Sequence, residues 1–304
     1  MEDKYIFLGR SKAGKTVCFT TMAYQMQQWA NDQDLYSFRY LEDGTTSESP
    51  NKQSGFLDLL VPDYLRELFL DNSNPSELGS HRTSDYIYNC VIRQLGQQHW
   101  PDHTEITDNP KYTMELVRKC FFGMFAWRNV LEYSDYPGEA FDAAFMTLSE
   151  MKINNINKEI RKSACEIREK VNECSGIFLI IDYEAMENRI EIHELSNALE
   201  RLFRIASSKR IAIMFNKLEL CAKPPELSSI VTSFKKTFPN AYSRVTDNMK
   251  FFKILPLGKI VRDNEGNEIP PPANARAPRV LDPFKWMFSI PDSILKWEIP
   301  EHKL

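Results

Sequence analysis

The chain lacks any hydrophobic stretch that could cross a bilayer. Its longest uninterrupted apolar run, Cys120 to Trp127, is far shorter than the roughly 18 residues a membrane helix needs. No CxxC pair occurs among Cys18, Cys90, Cys120, Cys165, Cys174 and Cys221, which excludes a zinc ribbon and reads as packed thiols in a reducing compartment. An excess of positive charge is also missing: 38 Lys and Arg stand against 42 Asp and Glu, a net charge of -4. That balance argues against a dedicated nucleic-acid binder and shows no clear nucleic-acid patch, while a local one stays open. The opening Met1-Glu2-Asp3-Lys4-Tyr5 has neither the positive start nor the apolar core of a signal peptide, so a cytoplasmic protein is expected. Aromatic and aliphatic residues are plentiful, and they exclude a disordered or low-complexity chain. Glycine is scarce, 11 in 304 residues, so two glycines with four residues between them stand out.

They open the segment Gly9-Arg10-Ser11-Lys12-Ala13-Gly14-Lys15-Thr16, a G-x-x-x-x-G-K-T pattern. It follows the apolar run Tyr5 to Leu8 and precedes the helix-compatible Val17 to Trp29. Strand, glycine loop and helix form the setting in which backbone N–H groups curl around phosphate oxygens and the helix adds its positive end. Lys15 is placed to neutralise β- and γ-phosphates, and the Thr16 hydroxyl to bind Mg²⁺. The phosphate-binding set is therefore Gly9, Arg10, Ser11, Lys12, Ala13, Gly14, Lys15, Thr16 and Val17.

Downstream, the chain alternates strand and helix patterns. Residues 42–110 read as a polar loop followed by helical segments, an insertion within one domain. Tyr112 to Val117 and Asn129 to Ser134 read as a strand pair, and the second strand runs into Asp135-Tyr136-Pro137-Gly138-Glu139. An Asp at the carboxyl end of a strand can hold Mg²⁺, and Gly138 allows its N–H to approach a γ-phosphate. Ala140 to Cys174 carries Ile153, Ile156, Ile160, Ala164, Ile167 and Val171 at helical spacing, in one long helix or a helix pair. Gly176 to Asp182 and Arg210 to Phe215 are buried-strand runs. The second ends in Asn216-Lys217-Leu218-Glu219, an N-K-x-E pattern whose carboxylate can accept hydrogen bonds from guanine N1–H and its exocyclic amine, a donor pair that adenine does not offer. Phe251 to Leu255 reads as a last strand, with Leu257 in the loop expected beside the base. A turn at 263–267 and an apolar helix at Asp282 to Phe288 complete the pattern, in an extension over about 262–304.

With these three elements in order, the chain resembles the P-loop GTPases of the translation-factor and Ras-like class. It is most similar to the bacterial double-GTPase family of conflict and phage-defence systems, whose members carry D-x-P-G-E and end in a Pro-aromatic helix. The resemblance implies a single GTPase-like domain over 1–304. Its fold would be α/β, the P-loop NTPase three-layer doubly wound sheet, mostly parallel with one antiparallel strand and a helical insertion at about 42–110. It further implies GTP or GDP with Mg²⁺ as cofactors, Thr16 and Asp135 on the metal, Gly138 near the γ-phosphate, and Asn216, Lys217 and Glu219 on the base. A protein effector or activator is the implied partner. Glu139 stands where a Ras-like protein has its water-orienting Gln, so Glu139, Lys12 and Lys15 are the catalytic candidates, with Lys12 or Arg10 compensating the extra negative charge. Thr104, Thr107 and Thr113 remain open as the switch threonine. Two other readings also remain open: a nucleotide-stabilised, non-catalytic scaffold, and an ATP-using P-loop enzyme.

Overall fold

The computed structural model describes residues 2–10, 13–31, 36–41, 111–120, 125–134, 136, 138–147, 150–151, 156–186, 189–218, 221, 223–255, 261–262, 268–269 and 280–290. The expected insertion at 42–110 lies outside the described residues, as do Ser11, Lys12, Asp135, Glu219, Leu257, Thr104 and Thr107.

Strand β1 (Glu2–Gly9) alternates two sets of apolar side chains. Ile6 and Leu8 enter one hydrophobic cluster while Tyr5 and Phe7 enter another. A strand with both faces apolar must lie in the interior of a sheet with helices on each side. It does: β1 pairs in parallel with β4 (Phe125–Ser134) and with β5 (Gly176–Asp182). The parallel set continues through β6 (Arg210–Asn216) to β7 (Met249–Lys253). On the other flank β3 (Lys111–Cys120) runs against both β4 and β2 (Tyr36–Leu41). The resulting order is β2-β3-β4-β1-β5-β6-β7, a mostly parallel sheet in which β3 alone is reversed. Strand β2 was not anticipated, although its Tyr-Ser-Phe-Arg-Tyr-Leu sequence alternates aromatic and polar residues as a half-buried edge strand does. A separate short pair, β8 (Val261–Arg262) and β9 (Glu268–Ile269), flanks the expected turn at 263–267.

One face of the sheet carries helix α1 (Lys15–Asn31), which buries Cys18, Phe19, Met22, Ala23, Met26 and Ala30. Their three- and four-residue spacing forms one helical stripe. Helix α7 (Asp282–Met287) joins this face through Phe284 and Met287. The opposite face is covered by α2 (Gly138–Ala144), α3 (Lys158–Glu173), α4 (Arg189–Ile205) and α5 (Leu227–Thr237), with a single turn, α6 (Pro239–Tyr242), after it. Ala140 to Cys174 is thus not one continuous helix: among the described residues it holds the end of α2 and all of α3. Asn157 starts the second helix, its Oδ1 accepting the Ile160 N–H at 2.8 Å, the usual way a short polar side chain satisfies an orphan donor. Among the described residues, no helix is long and apolar enough to cross a membrane. Cys18, Cys165, Cys174 and Cys221 are free thiols.

Phe178 on β5 anchors the α1/α7 face. It is fully buried, with ring centroids 4.8 Å from Phe284, 5.9 Å from Phe288 and 6.0 Å from Phe7. Truncating such a ring removes apolar burial and leaves a cavity. Phe178→Ala is expected to lower stability by about 3 to 5 kcal/mol in urea unfolding, and a loss below about 1 kcal/mol would contradict this packing.

Candidate functional site

The glycine loop is built by close approaches that no other residue permits. β1 ends at Gly9, where an added Cβ would lie 2.8 Å from the Ile180 carbonyl on β5. The chain turns, with the Ala13 N–H donating to the Arg10 carbonyl at 3.4 Å, and reaches Gly14 at φ +76°. A side chain there would be strained by that angle, and its Cβ would meet Asn216 Nδ2 at 2.6 Å. Helix α1 follows at once. Its first i→i−4 bond is Cys18 N–H to the Gly14 carbonyl, 2.9 Å, so the N–H groups of Lys15, Thr16 and Val17 precede the helical ladder at the positive end of the helix. Lys15 is buried, and its Nζ donates to the Arg10 carbonyl at 3.0 Å, folding the ammonium over the loop. Backbone donors, an ammonium and a hydroxyl at one helix start make up the donor set that an oligophosphate accepts from.

The Thr16 hydroxyl lies 2.9 Å from the Tyr133 hydroxyl. Tyr133 is near the end of β4, fully buried between Phe7 (ring centroids 5.8 Å) and Phe19 (4.7 Å). The structure thereby ties the expected metal-binding threonine to the strand that leads into Asp135. Beyond it, Gly138 opens α2 and is buried, while Glu139 is exposed on the first turn of that helix. Tyr136 between them is buried, and burial raises its phenol pKa, so it stays neutral.

At the end of β6, Asn216 reaches back to the loop. Its Nδ2 donates to the Ala13 carbonyl at 2.8 Å, and its Oδ1 is buried with no hydrogen-bond partner among the described residues. Lys217 adopts the left-handed conformation, φ 62°, uncommon for a lysine. Its Nζ is held 2.6 Å from Asp182 Oδ2 at the end of β5, and Asp182 Oδ1 accepts the Glu184 N–H at 2.9 Å. The fold thus brings Gly9, Arg10, Ala13 to Val17, Asn216 and Lys217 together at the carboxyl ends of parallel strands, where open α/β sheets bind ligands. The buried, unpaired Asn216 Oδ1 and the glycine-lined loop suit a nucleotide. Thr16 is a described residue that suits a magnesium ion, its hydroxyl supplying one oxygen ligand.

Arg10 takes a different path. Its Nε donates to Asp142 Oδ2 at 2.8 Å, and Nη2 lies 2.7 Å from the same oxygen and 3.0 Å from Glu194 Oε2. The guanidinium therefore joins the glycine loop to α2 and α4. Asp142 is almost fully buried, and its Oδ1 has no hydrogen-bond partner among the described residues. Burial pushes its pKa up to about 6 despite the neighbouring Arg10. Tyr133, Asp142 and Asp182 were not among the residues expected from sequence. Only Asp182, at the end of an apolar strand run, carried a signal of the type that marked Asp135.

No protein-family model and no curated protein matches the chain. Among solved structures, it is similar to the S. cerevisiae Ski7 GTPase-like domain, which was solved bound to GTP. The identity is 15% and the TM-score 0.31, over 83% of this chain and 42% of that one. This chain thus spans less than half the length of the Ski7 chain. The overlap is too slight to carry a fold or an activity across, and both rest on the residues described above.

The burial of Asp142 generates a pH dependence. The Asp142 carboxyl keeps its proton in the folded chain up to about pH 6, whereas an unfolded Asp releases it near 4. The folded state binds the extra proton in that window, so this group's contribution to stability falls as pH rises from about 4 to 6, by about 3 kcal/mol in all. Unfolding free energies at pH 4, 5, 6 and 7 for the native chain and Asp142→Asn are expected to differ in slope by this amount. Parallel curves would contradict it.

Proposed function

We propose that the chain binds a guanosine nucleotide with Mg²⁺ in the loop from Gly9 to Thr16, and acts as a GTP-hydrolysing switch that passes its nucleotide state to a protein partner. One observation carries this reading. The Asn216 amide, at the head of the N-K-x-E segment, spans the space left by Gly14 and bonds the Ala13 carbonyl at 2.8 Å. The head of the segment expected to read the base is therefore fixed to the loop expected to hold the phosphates, as recognition of a whole nucleotide requires.

In this reading the N–H groups of Lys15, Thr16 and Val17 take phosphate oxygens, the Lys15 ammonium leaves the Arg10 carbonyl for the β- and γ-phosphates, and Gly138 approaches the γ-phosphate. Thr16 and Asp135 hold the metal, which when bound neutralises charge on the phosphates. Glu219 reads guanine, with Lys217 oriented by Asp182, and Leu257 lies beside the base. Glu139 and Lys12 act near the γ-phosphate. The bacterial defence setting follows from the resemblance to the double-GTPase family.

A second reading, the nucleotide-stabilised scaffold, is favoured by one contact. The Arg10 guanidinium is engaged by Asp142 and Glu194, so its charge is already shared between two carboxylates before it could offset Glu139. Turnover separates the two readings.

Titration of fluorescent GDP and ADP analogues in Mg²⁺ is expected to show selective guanine binding. Lys15→Ala should abolish it while the thermal melt stays cooperative, and Glu219→Ala should remove the preference for guanine. Unchanged affinity in Lys15→Ala, or equal binding of ADP by the native chain, would overturn the proposal.

A further inference from the structure

Away from the nucleotide loop, at the far end of α2, a cavity of about 420 Å³ opens between that helix end, α3 and α4. Three arginines line it: Arg168 from α3, and Arg201 and Arg204 from α4. Two of them hold the end of α2. Arg168 donates from Nε to the Ala144 carbonyl and from Nη2 to the Met146 carbonyl. Arg201 donates to the Phe145 carbonyl at 2.7 Å and pairs in a two-pronged contact with Glu150, at 2.6 and 2.7 Å.

The charge does not cancel within this group. Arg201 is neutralised by Glu150, and the cavity's own acid, Glu200, is turned to Arg244 at 3.7 Å. Arg168 meets only carbonyl oxygens among the described residues, and Arg204 is exposed with no hydrogen bond or ion pair among them. Arg168 and Arg204 thus face one concavity with neither guanidinium paired to a carboxylate among the described residues, on a chain whose net charge is -4. Guanidinium groups match the paired oxygens of carboxylate and phosphate. Phe145, Met146 and the exposed Ile205 supply apolar wall beside them, and the volume lies within the range of small-molecule sites.

We propose that this cavity is a binding site for a small anion, a phosphate or carboxylate group carried on an apolar body, with Arg204 and Arg168 on the charge and Phe145, Met146 and Ile205 on the body. The site is separate from the glycine loop, and its existence does not depend on which nucleotide that loop takes. Because Arg168 and Arg201 fasten the carbonyl end of α2, an occupant there sits against the same helix that Asp142 ties to Arg10.

Phenyl phosphate is a probe with both features, and inorganic phosphate is its charge-only counterpart. Calorimetric titration of the full chain is expected to give saturable binding of phenyl phosphate, tighter than that of inorganic phosphate. Arg204→Glu should weaken it by about tenfold or more, and Arg204→Lys by less. Arg204 is exposed, so both variants should melt as the native chain does. Amide shifts on binding should centre on Thr147, Asn197 and Ile205. Absence of saturable binding, an unchanged affinity in Arg204→Glu, or shifts confined to residues 9–17 would each overturn the proposal.

Discussion

The structure turns on one close approach. Gly14 lacks a side chain and adopts a positive φ, and into the space this leaves the Asn216 amide extends to the Ala13 carbonyl. Two segments some two hundred residues apart in sequence are thereby fixed at hydrogen-bond distance. The contact is possible only because β1, β5 and β6 are adjacent and parallel, which delivers their carboxyl ends to one edge of the sheet. That adjacency in turn requires strands apolar on both faces, with helices covering each side. Core composition, sheet order and site geometry are therefore linked steps of one argument.

Around this junction, charged side chains are spent on joining elements. Lys217 is pinned by Asp182, Lys15 by the Arg10 carbonyl, and Arg10 by Asp142 and Glu194. Helix α2 is held along its C-terminal half: Asp142 connects it to the glycine loop, while Arg168 and Arg201 clasp the carbonyls of Ala144, Phe145 and Met146 just beyond. A short helix held in this way can pass a displacement from one tie to the other, because packed contacts favour discrete arrangements over gradual bending.

Much of this was legible in the sequence, for identifiable reasons. The glycine loop declared itself because φ above zero and close backbone approach both demand glycine, in a chain that has few. The buried strands Gly176 to Asp182 and Arg210 to Phe215 showed as continuous apolar runs, and Ala140 to Cys174 as an amphipathic stretch whose start and cap at Asn157 only the structure gives. The ties between elements were not legible. Arg10–Asp142, Thr16–Tyr133 and Lys217–Asp182 join residues from 35 to 132 positions apart, and a single side chain bonding over such a distance leaves no periodic trace. Strand β2 was overlooked because it is an edge strand of six residues whose alternation is too short to stand out beside the helix that precedes it. Ser11, Lys12, Asp135, Glu219 and Leu257 remain expectations from sequence.

The most direct measurement of the central claim is a crystal structure of the full chain grown with GDP and Mg²⁺. The account predicts the phosphates against the N–H groups of residues 15–17, the Lys15 ammonium moved from the Arg10 carbonyl to phosphate oxygen, and the guanine beside Lys217 with Asn216 still on Ala13. A nucleotide bound elsewhere, or a loop whose Asn216–Ala13 contact is broken with the phosphates in place, would contradict it.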